Sequence, residues 1–440
     1  MNEEQLRLND FRSVGEEQLS DEIPVGYKKT EIGIIPEDWK ITRLRDCLVR
    51  QPEYGINAPG VPYSETLPTY IRITDITDEG KFSSDNIASV AIDNYHKFLL
   101  TDGDIVFART GASVGKYYRY RSSDGALVFA GFLIRVHPDK SKLLPQFLEA
   151  YLGTTAYHNW VRLVSTRSGQ PGINGKEYSI LPIPVPSIAE QAPIAEIVSD
   201  VENLIESLDN LISKKQAIKK ATMQQLLTGR TRLPGFNGGW KKSNLGKIGK
   251  FLKGNGIKRD ELVDSGYPCI LYGELYTTYK NYILNTISRI PYCITNVALP
   301  IETGDLLFTG SGETPEEIGK CSAYIGKERV YAGGDIVVLR SPKHDSVFLS
   351  HLMNHSSTVK QKSRLAQGDA VVHISARHLS QIEICLPPIE EQRAISSILI
   401  DMDAEIEALE RQRDKMKQIK QGMMQQLLTG RIRLLNKEAV

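Results

Sequence analysis

The string MQQLLTGR occupies Met223–Arg230, and the same eight residues return as Met424–Arg431. The two copies stand 201 residues apart, from 223 to 424, and the offset holds well upstream. Ile188, Glu190, Gln191, Ile194, Ile197, Asp200, Ile205 and Leu208 recur as Ile389, Glu391, Gln392, Ile395, Ile398, Asp401, Ile406 and Leu409. Between Pro186 and Leu233 roughly half of about 48 positions match without a gap, the mark of a tandem duplication. The intervening parts are only weakly alike. Trp39 matches Trp240, Gly103-Asp104 matches Gly304-Asp305, and Ile173 matches Ile374. One unit is therefore present twice, with a constrained helical end and a globular part that has drifted.

The repeated end reads as a long helix. Ile194, Val198, Val201, Ile205, Leu208 and Ile212 alternate steps of four and three, which is a heptad seam. Ile395, Leu399, Met402, Ile406, Leu409 and Met416 form the matching seam in the second copy. Pro193 is tolerable only in a first helical turn, and Pro388 suits the first helical position. Gly229 and Gly430 stand where helices stop. A helix of this length spans about 60 Å and cannot hold one apolar stripe in water alone, so each copy is the expected partner of the other.

The globular parts mix strand and helix signals. PTYIRITDIT (Pro68–Thr77) alternates as a half-buried strand does, and ALVFAGFLIRV (Ala126–Val136) reads as one long buried strand. LLPQFLEAYLGT (Leu143–Thr154) has helical spacing, and SGQPGINGKEY (Ser168–Tyr178) is a glycine-rich loop. In the second copy CILYGELYTTY (Cys269–Tyr279) and DIVVLRS (Asp335–Ser341) read as strands, and VFLSHLMNH (Val347–His355) as a helix. The fold class is α+β: two pseudo-repeated domains joined by two long helices packed as an antiparallel coiled coil. The expected boundaries are a loose leader (1–25), a first domain (26–186), a first helix (187–230), a second domain (231–386), a second helix (387–434) and a tail (435–440).

Composition narrows the function classes. A net charge of +1 gives no overall attraction to nucleic acid or membrane, so DNA binding would depend on local clusters. The five cysteines are scattered without a CxxC pair, which suggests neither disulfides nor zinc and fits a reducing cytoplasm. No apolar run approaches the ~20 residues that span a bilayer, so no membrane association is expected. FTGSG (Phe308–Gly312) resembles a glycine loop for S-adenosylmethionine, but its counterpart FARTG (Phe107–Gly111) breaks the pattern, and a turn after a strand is the better reading. No phosphate loop, metal-ligand spacing or nucleophile motif appears. The chain is expected to have no catalytic residues, no metal and no cofactor of its own.

Each globular part does carry glycine-rich loops dressed with basic, amide and aromatic side chains. In the first these are Tyr54, Asn57, Arg72, Arg109, Thr110, Lys116, Gln170 and Asn174. In the second they are Lys253, Asn255, Lys258, Arg259, Tyr272, Tyr276, Lys320 and His373. Arginine can read guanine and asparagine or glutamine adenine, while lysine and arginine can grip phosphate. Loops are polar in any protein, so solvation accounts for any single one of these equally well. The lysine pairs at 214–215, 219–220 and 241–242, with Arg230 and Arg232, suit a solvated helix face better than a DNA backbone.

Taken in order, IPEDW (Ile35–Trp39), EYGINAPGV (Glu53–Val61), YIRITDIT (Tyr70–Thr77), GDIVFARTG (Gly103–Gly111), SGQPGING (Ser168–Gly175), ILYGELY (Ile270–Tyr276), PPIEEQRAI (Pro387–Ile395) and both QQLLTGR copies point to one family. The chain resembles the specificity (S) subunit of type I restriction–modification systems. The resemblance implies two target recognition domains, each reading half of a bipartite site in double-stranded DNA. It implies that the helices form a spacer and dock two methyltransferase (M) subunits, which restriction (R) subunits join. S-adenosylmethionine, ATP and Mg would be used by those partners. The rival classes are a stand-alone DNA methyltransferase or nuclease, and a duplicated coiled-coil scaffold that binds no DNA.

Overall fold

The computed structural model of the protein describes residues 23–167, 169–368 and 371–434. The expected leader as far as Glu22 and the tail 435–440 lie outside the described residues. The chain divides into two compact units, one of residues 1–209 with 411–440 and the other of residues 210–410. Each unit thus combines one α+β domain with part of both long helices.

In the first unit a four-stranded antiparallel sheet has the order Glu53–Tyr54, Leu133–Val136, Ile105–Ala108, Tyr117–Arg119. A second four-stranded sheet contains Leu127–Phe129 paired in parallel with Thr69–Ile71, followed by Ala88–Ser89 and Val61–Pro62. The expected single strand over Ala126–Val136 is therefore two strands in different sheets. Gly131 and Phe132 break it, and Phe132 turns outward, 54% exposed. Helices Pro145–Leu152 and Thr155–Ser165 pack Phe147, Leu148, Tyr151 and Tyr157 onto Phe107 and Trp39. Burying each such side chain contributes about 1.5–3 kcal/mol. Strand Pro182–Val185 closes the domain by pairing antiparallel with Lys40–Arg43.

The second unit repeats this plan. Its main sheet runs Lys250–Lys253, Ile336–Arg340, Leu306–Thr309, Cys321–Tyr324, with Tyr282–Ile283 as a fifth strand. Strand Glu383–Leu386 closes it against Lys241–Asn244, as Pro182–Val185 does in the first unit. Cys269–Tyr279 is not one strand as its residues suggest. It is strand Tyr267–Ile270 followed by helix Tyr272–Thr277, whose Glu274 carboxylate accepts the Leu271 N–H at 3.1 Å and starts the turn.

The two long helices are Ile188–Leu226 and Ile389–Leu427. Pro193 lies beyond the first turn, inside the helix, and Pro388 precedes it, its carbonyl accepting the N–H groups of Glu391 and Gln392. Within the first unit the helices run antiparallel. Glu202 pairs with Lys420 and Asp209 with Arg413, seven residues on along one helix and seven back along the other. Within the second unit Lys215 pairs with Glu405 and Lys219 with Asp403, again in opposite directions. Ile194, Val198, Leu208, Ile212, Ile395, Leu399 and Ile406 of the seam are buried, and Val201, Ile205, Met402, Leu409 and Met416 are half-buried.

The strings after each helix act as clasps. Arg433, following the second helix, bonds the buried Glu190 at 2.5 Å and Asp38 at 2.8 Å, and Trp39 Nε1 donates to the same Glu190 at 3.1 Å. Arg232, following the first helix, binds both oxygens of the buried Glu391 at 2.6 Å. Each arginine thereby closes the end of one helix on the start of the other, and the clasping arginine stands two residues past TGR in both copies. Arg232, Lys215 and Lys219 are engaged by carboxylates, so they do not form a phosphate-binding face.

Candidate nucleic-acid interface

Backbone hydrogen bonds align the candidate loops of the two domains residue for residue. Ile134 pairs with both Tyr54 and Phe107, and Val337 with both Lys253 and Phe308. The Arg109 N–H donates to Phe132 O and the Ile173 N–H to Arg109 O, while Gly310 stands in the same two bonds with Asp335 and Ile374. Thr110 bridges to Gly172 as Ser311 pairs with His373. Tyr54, Arg109, Thr110, Phe132 and Gly172 thus occupy the places of Lys253, Gly310, Ser311, Asp335 and His373. The backbone is the same and the side chains are not.

In the first domain the Arg109 guanidinium lies 5.1 Å from the Tyr54 ring and 5.9 Å from that of Phe132, both rings being well exposed. Cation–π contact of this kind attracts the guanidinium to the ring faces. The Tyr54 hydroxyl accepts the Gly175 N–H at 2.9 Å, which ties the ring to the glycine-rich loop. Gln170 is exposed on that loop, and its amide nitrogen lies near Gly111. Asn174 accepts the Glu177 N–H at 3.0 Å as the cap of helix Gly175–Ser179, so the last part of the expected loop is helical. Tyr54, Arg109, Thr110, Gln170 and Asn174 come together here. Arg72 is instead held by both oxygens of Asp75 at 2.8 and 2.9 Å, and Lys116 by Asp78 at 2.6 Å. Asn57 is exposed nearby on the loop after Tyr54.

In the second domain the corresponding place is a half-open cavity of about 440 Å³ with Gly310 in its floor. Lys253, Ser311, Asp335, Gln367, His373 and His378 contribute its polar lining. Asp335 adopts φ +59, the one non-glycine residue in the left-handed region among those described. The Ser311 hydroxyl meets His373 Nδ1 at 3.0 Å. Tyr276 and Lys320 do not present themselves. The Tyr276 hydroxyl bonds Thr309 at 2.7 Å and Ser311 O at 3.0 Å, and Lys320 donates to Tyr276 O at 3.0 Å. Both are half-buried, and that burial lowers the pKa of the Lys320 ammonium and raises that of the Tyr276 phenol. Asn255 and Lys258 are exposed on the flanking loop, Arg259 in the 3-10 turn that follows it, and Tyr272 at the start of helix Tyr272–Thr277. Sequence reasoning passes over Phe132, Asp335, Gln367 and His378; only register with the other copy picks out the first two.

Phe308–Gly312 ends a strand and pairs with Val372–His373, so the glycine string serves as a turn and bridge. Among the described residues no three His, Cys, Asp or Glu side chains gather to hold a metal ion, and no helix is long and apolar enough to cross a membrane.

One α+β domain built twice, with matching loops that differ in residue at all five aligned positions, defines a modular recognition protein. The chain belongs to the family of the type I restriction modification DNA specificity domain, whose description fits residues 36–217 and again residues 237–418. It is 28% identical over 433 residues to the putative type I restriction enzyme MjaX specificity subunit of Methanocaldococcus jannaschii, covering 93% of this chain and 97% of that one. The MjaVIII specificity subunit of the same organism is 23% identical over 419 residues, covering 91% and 95%. The crystal structure of a type I restriction–modification S subunit from M. genitalium superposes with a TM-score of 0.58 at 14% identity, covering 93% of this chain and 98% of that one. The protein is a type I specificity subunit, with two recognition domains on a helical frame.

Proposed function

We propose that each α+β domain reads one half of a bipartite DNA site, and that the long helices dock two methyltransferase (M) subunits, to which restriction (R) subunits bind. Methyl transfer from S-adenosylmethionine and ATP- and Mg-dependent translocation and cleavage are the work of those partners, and this chain binds none of these cofactors. The observation that carries the reading is the register just described: two domains with one backbone and unlike exposed loops, on helices whose clasps are alike. A reader with two different half-sites needs that division. Each half alone discriminates weakly, since a mismatched base pair costs ~1–3 kcal/mol, and joining two readers multiplies their selectivity.

The test is to express the gene with its neighbouring methyltransferase gene in a methylation-free host and sequence the modified bases. A split motif with a methylated adenine and a fixed gap is expected. A continuous motif, or methyl transfer by the purified chain alone, would contradict the proposal.

A further inference from the structure

We infer that Arg109 is the guanine-reading side chain of the first domain, and that the second domain reads its half-site without an arginine at that backbone position. The inference rests on the DNA-reading role proposed above. The first domain, residues 26–186, contains ten arginines. Nine of them have a carboxylate or amide side chain within reach, from Arg43 on Glu31 to Arg167 on Glu177. Arg109 alone has no side-chain hydrogen-bond or ion-pair partner among the described residues, although it is only half exposed. What holds it is aromatic: the faces of Tyr54 and Phe132. A half-exposed guanidinium with no protein acceptor keeps its donors available for acceptors on a partner.

The geometry also limits the kind of acceptor. Held against two rings with its donors free of protein partners, the guanidinium can offer its planar fork outward, which suits the paired O6 and N7 acceptors of guanine in the major groove. Tyr54 is itself locked by the Gly175 N–H, so the whole assembly is preset and needs no ordering on contact. Exposed Gln170 and half-buried Thr110 flank it and can read neighbouring positions. In the second domain Gly310 removes the arginine, and Lys253 and Asp335 replace the rings. No guanidinium stands at that backbone position, and Arg364 and Arg377 approach the cavity from the side of Gln367 and His378.

The experiment compares the complete complex carrying the native chain, Arg109→Lys, Arg109→Gln or, as a control, Arg162→Gln on the exposed face of helix Thr155–Ser165. Modified-base sequencing gives the motif of each, and competition with oligonucleotides varied one base pair at a time gives its selectivity. Arg109→Lys keeps the charge and loses the fork. The expected result is relaxation at one G·C pair in one half-site, by roughly 5- to 150-fold, with the other half and Arg162→Gln unchanged. An unaltered motif overturns the inference while leaving bipartite reading intact. Uniform weakening across all sequences, with a reduced salt dependence, overturns it in favour of a phosphate contact. A native complex with no split motif would instead remove the functional reading beneath it.

Discussion

At the hairpin that follows the strand of Phe107 or Phe308, one turn carbonyl is buried in each domain, and the two domains satisfy it from different residues. Gly115 and Gly319 hold these turns at φ +86 and +67, which a side chain would strain. The Gly115 carbonyl accepts the Tyr157 hydroxyl at 2.7 Å, with Val161 against the turn. The Gly319 carbonyl accepts the Lys362 ammonium at 2.5 Å, and Thr358 stands where Tyr157 does. A large residue and a small one have exchanged for a small one and a long one, four positions apart on the same helix. The clasps show the contrary behaviour: Arg433 and Arg232 keep the same carboxylate, Glu190 or Glu391. Packing inside a domain is free to find another solution, because only that domain must be satisfied. The clasps join repeated elements to each other, so both partners are held fixed.

The first domain's clasp should be the costlier to break. Arg433 has two carboxylates, Glu190 and Asp38, and their hydrogen bonds raise its pKa, while the place of Asp38 is Gly239 in the other copy. Arg433→Ala leaves Glu190 buried and unpaired, and we expect a loss of about 2–3 kcal/mol, read as faster amide exchange over residues 27–39. Arg232→Ala should open its own unit less; equal effects would mean that Asp38 adds nothing.

The carbonyl exchange comes next. Lys362→Val strands the Gly319 carbonyl and leaves a void, for about 2 kcal/mol in chemical unfolding of the second unit. Thr358→Tyr with Lys362→Val installs the first domain's solution, and should recover at least ~1 kcal/mol relative to the sum of the single changes. Strict additivity would show that the two helices are not interchangeable in this respect.

A third contrast is electrostatic. His351 is fully buried with neither ring nitrogen bonded among the described residues, where the first domain has Ala150. Burial, aided by the Lys219 ammonium, pushes its pKa down to about 3. The unfolded chain binds this proton near pH 6.5 and the folded one does not, so stability falls as pH drops from about 6.5 toward 3. The slope from this group is at most about 1.4 kcal/mol per pH unit. This contribution should vanish from amide exchange of the second unit in His351→Ala and leave the first unit, whose own imidazole of lowered pKa is His158, unchanged. The smallest effect belongs to the helix pair. Exchanging the charges of Glu202 and Lys420 together should cost under ~1 kcal/mol, and either reversal alone somewhat more.

The helical frame is legible in the sequence because its signal is local and stated twice: heptad apolar spacing, terminal glycines and an offset that never slips. The domains are less legible. Ala126–Val136 is continuous in hydrophobicity, yet the outward turn at Phe132 depends on a neighbour, Arg109, that is 23 positions away. Leu271 joins a strand to a helix where composition suggests a strand, because the Glu274 carboxylate captures its N–H. Arg109 and Tyr54 stand out as polar or aromatic loop residues, but so do Arg72 and Lys116, which Asp75 and Asp78 engage. Carboxylate partners separate these groups, and sequence alone does not reveal such partners.

The most direct measurement exchanges residues 39–186 for the corresponding segment of another family member that modifies a different split site. Modified-base sequencing of the complex built on this hybrid should report one half-site replaced, with the other half and the gap retained. Change in both halves, or in neither, would contradict the account of two independent readers on a common frame.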